Sequence, residues 1–111
     1  MNPERARELL AGERARIEEA LRRRRPVEEE DPTTADAADL GSDVLTAELD
    51  DAYTRELLEE LAAVERAEER LAAGTYGLSI ESGEPIPDER LEIVPAAERT
   101  AAEQDRFEGR R

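Results

Sequence analysis

The chain has 111 residues, of which 38% are hydrophobic and 41% charged, and its aromatic residues are one Phe and two Tyr. This composition leaves too little apolar material for a thick globular core, but it suits long helices that each bury one stripe. Because the sequence has no Cys and no His, disulfides, thiol nucleophiles, His-based acid–base catalysis and the usual zinc ligands are excluded.

Charge is distributed unevenly along this acidic chain, whose net charge is −14. Residues 1–25 hold eight Arg against five Glu, a charge of +3, so residues 26–111 carry −17. A nucleic acid duplex or an anionic membrane would repel that surface, whereas a basic cavity in another protein would attract it. We therefore expect a protein partner, with no direct binding to nucleic acid or membrane. No apolar run approaches transmembrane length and no signal-peptide core opens the chain, so we expect a cytoplasmic protein.

The first helix is predicted at residues 3–24. Pro3 suits a first-turn position, and the run Arg22 to Arg25 complements the negative pole of the helix dipole at the other end. Pro26 then stops the helix. We interpret the arginine run as a solvated helix end in preference to a docking contact for an acidic partner. The apolar stripe falls at helical spacing: Ala6, Leu10, Ile17 and Leu21.

The connection at residues 26–42 has no amphipathic stripe. It contains two Pro, an acidic run and Gly41, which predicts an irregular, acidic tip. Asp36 and Asp39 lie within it.

The second helix is predicted at residues 43–73, with Ser42 or Asp43 as its cap and Gly74 as a left-handed terminator. Neither helix can bury its stripe alone, so the two are expected to pack side by side as an antiparallel coiled-coil hairpin. The stripe of the second helix consists of Leu45, Leu49, Tyr53, Leu57, Leu61, Val64, Ala67 and Leu71.

Residues 74–95 crowd Gly, Pro and β-branched residues together, which indicates a compact, turn-rich knuckle. The local elements predicted in it are extended pieces at residues 78–80 and 91–94, and turns at Ser82-Gly83 and Pro87-Asp88.

Pro95 is predicted to open a last helix that runs from residue 96 to about residue 107. The sequence therefore predicts two domains. Residues 1–73 form the helical hairpin with its acidic tip, and residues 74–111 form the knuckle and a short C-terminal helix.

The segment that begins at Gly74 reads G-T-Y-G-L-S-I-E-S-G-E-P-I, and R-L and Pro95 follow. This pattern resembles the zinc knuckle of the DksA/TraR family, and the resemblance extends over about residues 36–104. It implies a mostly α-helical fold, in which a helical hairpin stands on a zinc-finger-like knuckle. It also implies that the four zinc-binding cysteines of the family correspond to Ser79, Ser82, Thr100 and Glu103, with the family's spacing kept.

The replaced positions predict a degenerate, metal-free zinc finger. Ser and Thr hydroxyls stay protonated near neutral pH and one carboxylate cannot make a site, so we expect no zinc and no other cofactor. A chelator should leave the fold intact. A polar link among the four positions is expected to help close the knuckle, since hydroxyls can donate to Glu103. The apolar residues predicted to close it are Leu78, Ile80, Ile86, Leu91, Ile93, Val94 and Phe107.

The predicted tip carries the candidate interaction residues Asp36, Asp39 and Gly41. Regulators of the family have an Asp-x-x-Asp-x-Ala motif at this place, and Gly41 stands where that Ala would be. The resemblance implies that the hairpin enters the secondary channel of bacterial RNA polymerase and brings the two carboxylates near the active centre. There they can pair with cations or perturb the catalytic Mg²⁺, which prefers oxygen ligands. The residues alone favour solvated acids or helix caps, and the resemblance reverses that preference.

Alarmone-responsive members of the family carry basic residues at positions that correspond to Ala63, Val94 and Gln104. A guanosine tetraphosphate ligand needs cationic donors, so the resemblance predicts a weak or absent alarmone response.

The leading hypothesis is a monomeric, non-enzymatic regulator of transcription that binds RNA polymerase. The alternative is a helical-hairpin adaptor that binds another basic protein. A Mg²⁺-dependent hydrolase built on Asp36 and Asp39 is disfavoured, because a loop without a pocket or supporting residues makes a poor active site.

Overall fold

A computed structural model describes residues 1–24 and 40–109 of the chain, with side chains at residues 1–24 and 51–109. Four helices follow one another in this part: α1 (Pro3–Arg23), α2 (Leu40–Ala73), α3 (Asp88–Ile93) and α4 (Ala101–Gly109). The fold is mostly α-helical, as the sequence predicts.

Helix α1 begins and ends close to the predicted residues. Pro3 occupies its first turn, and the Asn2 side chain caps it by accepting the Glu4 amide N–H at 2.6 Å. Arg22 and Arg23 lie in the last turn, where they complement the helix dipole.

Helices α1 and α2 pack side by side as an antiparallel pair. Arg14 of α1 donates two hydrogen bonds to Glu68 of α2, at 2.7 and 3.2 Å. Arg24, the residue that follows α1, lies over the ring of Tyr53 of α2, at 4.4 Å from its centroid. Residues later in the first helix therefore contact residues earlier in α2, so the two helices run in opposite directions. The side chains buried between the helices are Leu10, Ile17, Leu57, Val64 and Ala67.

Helix α2 differs from its predicted range at one end and agrees at the other. It begins at Leu40, so the predicted cap at Ser42 or Asp43 is wrong and Gly41 lies inside the helix. A single glycine costs only ~1 kcal/mol in a helix, so it does not prevent the extension. At the other end, Gly74 adopts φ 83°, and the Thr75 N–H donates a hydrogen bond to the Arg70 carbonyl at 2.8 Å. This left-handed ending is the one predicted.

The knuckle begins with a tight antiparallel turn. Leu78 and Pro85 form an isolated β-bridge, and the Ile86 N–H bonds the Gly77 carbonyl at 2.7 Å. Gly83 has φ 76° at the turn itself, a conformation that favours glycine. In the described part of the chain, this bridge is not extended into a longer strand.

Two predicted elements of the knuckle are wrong. Residues 91–94 are not extended, because Leu91 and Ile93 belong to the short helix α3. Pro87 precedes this helix and acids occupy its first turn, which suits the helix dipole. The last helix begins at Ala101 and not at residue 96.

The apolar core of the knuckle is smaller than predicted. Ile86 and Leu91 are buried with Ala97, and Tyr76 packs against this cluster as well as against the core between α1 and α2. Phe107 is half-buried beneath the Arg99 guanidinium. Four of the residues predicted to close the knuckle are instead exposed, with exposed fractions of 38–81%: Leu78, Ile80, Ile93 and Val94.

None of the helices in the described ranges has the length and apolar character that a membrane crossing requires. The division into domains at residues 1–73 and 74–111 stays a prediction.

Candidate functional site

Two of the four positions singled out in the knuckle donate hydrogen bonds to a third, the Glu103 carboxylate. Ser79 Oγ donates to Glu103 Oε1 at 2.6 Å, and the Thr100 amide N–H donates to the same oxygen at 2.9 Å. Both Ser79 and Glu103 are buried, with 5% of each residue exposed. We call Ser79, Ser82, Thr100 and Glu103 the polar hub.

Ser79 has a second role within the hub. Its hydroxyl oxygen accepts the amide N–H groups of Glu81 and Ser82, at 3.0 and 3.2 Å. A serine hydroxyl has one proton to donate and two lone pairs to accept with, so all its hydrogen-bonding capacity is used. Ser82 is exposed, and its own hydroxyl accepts the Glu84 N–H at 3.2 Å.

These contacts stabilise the ionised form of the hub carboxylate. The Ser79 hydroxyl, followed by the Ser82 hydroxyl and the Thr100 amide, lowers the pKa of Glu103 from 4.5 to about 2. Glu103 is therefore an anion at neutral pH.

Thr100 and Glu103 also start the last helix. The Glu103 amide N–H donates to Thr100 Oγ1 at 3.2 Å, and the Glu103 carboxylate in turn accepts the Thr100 amide N–H at 2.9 Å. This reciprocal arrangement is a capping box. The sequence Thr-x-x-Glu before a helix was the signal for it, and it explains why α4 begins at Ala101.

The knuckle is joined to the hairpin by ion pairs between residues far apart in the sequence. Arg66 and Arg70 of α2 donate to Glu98 in the knuckle, at 2.9 and 3.2 Å. Arg66 lowers the pKa of the Glu98 carboxyl. On α1, Arg5 donates to both carboxylate oxygens of Glu92, at 2.9 and 2.6 Å. Spacing along the sequence carries no signal for such long-range pairs.

The tip residues Asp36 and Asp39 lie outside the described residues. Gly41 lies in the first turn of α2, within the described backbone.

Two of the positions compared with alarmone-binding residues, Val94 and Gln104, line one open cavity of about 980 Å³. Four arginines line this cavity together with three acids, Glu98, Asp105 and Glu108, so its formal charge is only slightly positive. Arg66 and Arg70 bond Glu98, and within the described part of the chain Arg70 Nε and Nη2 are buried without a hydrogen-bond partner. The arginines that line the cavity are Arg66, Arg70, Arg90 and Arg99.

Comparisons with known proteins agree with this architecture. Residues 74–109 match the family model described as the prokaryotic dksA/traR C4-type zinc finger. The structure of transcription factor DksA2 from Pseudomonas aeruginosa is similar, with a TM-score of 0.73 and 32% identity, over 97% of this chain and 84% of that one. The general stress protein 16O of Bacillus subtilis (strain 168) is 43% identical over 70 residues, 63% of this chain. The matched region spans 41% of the length of that relative.

A helical hairpin on a small knuckle is the architecture of a class of transcription regulators. The chain belongs to the DksA/TraR family.

The family model implies a zinc ion, and the hub does not suit one. Zinc sites in knuckles use thiolates or neutral imidazoles, and the chain has neither Cys nor His. The hub offers hydroxyls that are protonated near neutral pH and a single carboxylate whose Oε1 already accepts an O–H and an N–H group. No group of three or more potential metal ligands occurs among the residues described.

Proposed function

We propose that the protein is a DksA/TraR-like regulator that binds bacterial RNA polymerase and inserts its hairpin into the secondary channel to modulate initiation. The observation that carries the proposal is the likeness to a transcription factor over 97% of the chain, hairpin and knuckle together. The protein is proposed to act as a cytoplasmic monomer, without catalytic chemistry of its own.

The hairpin has suitable dimensions for this role. Helix α2 has 34 residues, so it is ~51 Å long at 1.5 Å per residue. Asp36 and Asp39 fall between the described end of α1 and the start of α2 in the sequence. In the proposed mechanism they occupy the end of the hairpin remote from the knuckle and interact with cations near the polymerase active centre.

The net charge supports a basic partner surface. Residues 26–111 carry −17, and a channel lined by basic groups would attract such a surface. This attraction is screened by salt, so binding should weaken as ionic strength rises.

Retention of the protein by immobilised core RNA polymerase tests the proposal. We expect retention at low salt that decreases with added salt. An Asp36→Asn/Asp39→Asn variant should still be retained, because the proposal assigns the docking contacts to the knuckle and the hairpin sides and not to the two tip carboxylates. Absence of retention at low salt would contradict the proposal. Absence of retention together with a different basic protein that co-purifies with the chain would favour the adaptor alternative.

We further infer that guanosine tetraphosphate has little effect on this regulator. Ala63, Val94 and Gln104 supply no cation, and Arg66 and Arg70 already bond Glu98. Equilibrium binding of the alarmone to the protein–polymerase complex tests this inference. An affinity gained with the protein and lost with the Arg70→Gln variant would contradict it.

A further inference from the structure

We propose that the Glu103 carboxylate replaces a zinc ion as the centre of the knuckle, so that the fold closes with neither metal nor thiol. The polarity of the site is inverted relative to a zinc knuckle. A zinc ion is a cation surrounded by electron-pair donors, whereas Glu103 is an anion surrounded by hydrogen-bond donors.

The contacts of Glu103 join separate parts of the knuckle. Ser79 lies in the antiparallel turn and Glu103 in α4, and the bond between them spans 24 positions of the sequence. Thr100 holds the same oxygen from the residue that precedes α4. The carboxylate therefore ties the turn to the start of the helix, which is the connection that a shared metal makes in a zinc knuckle.

A helix cap alone does not account for this arrangement. The capping box between Thr100 and Glu103 needs no third residue. Ser79 is nevertheless buried against Glu103, and its hydroxyl also orders the turn through the amides of Glu81 and Ser82. The buried serine thus extends a local cap into a link between two segments.

The small apolar core makes this link necessary. Ile86, Leu91 and Ala97 form the buried cluster of the knuckle, whereas Ile80 and Ile93 are 50% and 81% exposed. A cluster of this size supplies less folding free energy than a bound zinc supplies in a finger. The polar hub also stabilises the knuckle, because it holds the antiparallel turn against the start of α4.

Metal content tests the replacement directly. The purified full-length protein, incubated with zinc and desalted, should retain no stoichiometric zinc by elemental mass spectrometry, and a chelator should leave its thermal unfolding midpoint (Tm) unchanged. The Ser79→Cys/Ser82→Cys/Thr100→Cys/Glu103→Cys variant should bind one zinc per chain and become chelator-sensitive. Stoichiometric zinc in the unmodified protein, or failure of the four-cysteine variant to bind zinc, would overturn the proposal.

Single substitutions test the role of the carboxylate. In Glu103→Gln the capping box can persist, because Gln also serves at that position, but the anion is lost. We expect this variant to lower the Tm by at least several degrees. Asp105→Asn removes an exposed charge from the same helix and should leave the Tm nearly unchanged. Equal Tm values for the two variants would overturn the proposal.

A double substitution tests whether Ser79 and Glu103 stabilise the knuckle through their mutual hydrogen bond or independently of each other. Because Ser79 and Glu103 bond each other, Ser79→Ala combined with Glu103→Gln should lower the Tm by less than the sum of the two single effects. Additive effects would show that the two residues act separately. These measurements do not involve RNA polymerase, so their outcome is independent of the function proposed above.

Discussion

Arg70 of α2 and Glu98 of the knuckle form an ion pair of 3.2 Å in which each side chain is only 16% exposed. Arg66, four residues earlier on the same helix, bonds the same carboxylate oxygen at 2.9 Å. The Glu98 backbone carbonyl also accepts the Ile80 N–H at 2.9 Å. The side chain of Glu98 therefore connects the knuckle to the hairpin, while its main chain holds Glu98 to the turn within the knuckle.

The substitution Glu98→Gln should loosen this connection. Partly buried ion pairs contribute more than exposed ones, whose contribution is about 0.2–1 kcal/mol. We therefore expect a loss of about 1–2 kcal/mol and a fall in Tm of roughly 5–10 °C. Thermal unfolding followed by circular dichroism measures it. Glu84→Gln, an exposed residue of the knuckle, is the matched control. A Tm as high for Glu98→Gln as for Glu84→Gln would show that the ion pairs add nothing.

The stability of the hairpin should depend on Leu57 and not on the adjacent Leu58. Leu57 is 1% exposed between α1 and α2, whereas Leu58 is 50% exposed. Leu57→Ala should cost about 2–5 kcal/mol, because it removes buried methyl groups and leaves a cavity. Leu58→Ala should cost well under 1 kcal/mol. Denaturant unfolding of the two variants measures both values, and similar losses would contradict the packing described.

Stability should fall in acid. The folded-state pKa of Glu103 is about 2 against an ordinary value of 4.5, so its contribution is fully present above about pH 4.5 and is lost as the pH falls towards 2. Arg14 lowers the pKa of Glu68, and Arg66 that of Glu98, which adds to the same trend. We expect the Tm to decrease steadily below pH 4.5.

Glu103→Gln is the control for this pH dependence. Glutamine does not titrate, so the variant should show a shallower decrease in Tm between pH 4.5 and pH 2 than the unmodified chain. Parallel curves for the two proteins would show that the Glu103 carboxylate titrates alike in the folded and unfolded chain.

The elements predicted correctly from the sequence are those with long periodic patterns. The stripe that contains Leu57 and Val64 identified α2, and Gly74 marked its end, because a repeating apolar face and a left-handed glycine are strong local signals. The predicted start of α2 is wrong because a single glycine, Gly41, does not stop a helix. The hairpin as a whole followed from two stripes that each needed a partner.

The knuckle was harder to predict because its elements are short. A single apolar turn such as the one around Leu91 fits a strand as well as a helix, so periodicity does not decide between them. Burial was also misjudged, since nothing in the sequence distinguishes the buried Ile86 from the exposed Ile93. The resemblance predicts the polar link, and Thr-x-x-Glu is itself a sequence signal for the capping box of Thr100. The role of Glu98 required the structure, because the spacing of residues carries no signal for a long-range ion pair.

The tip mechanism makes the most specific claim about function. In transcription by purified RNA polymerase, the unmodified protein should alter initiation, and Asp36→Asn/Asp39→Asn should remove that effect while binding persists. The matched control is Asp51→Asn/Glu59→Gln, which changes two exposed acids on α2 by the same charge and should keep the effect. An unchanged effect of the tip variant, or an equal loss in the control, would contradict the claim that the two tip carboxylates act on the polymerase.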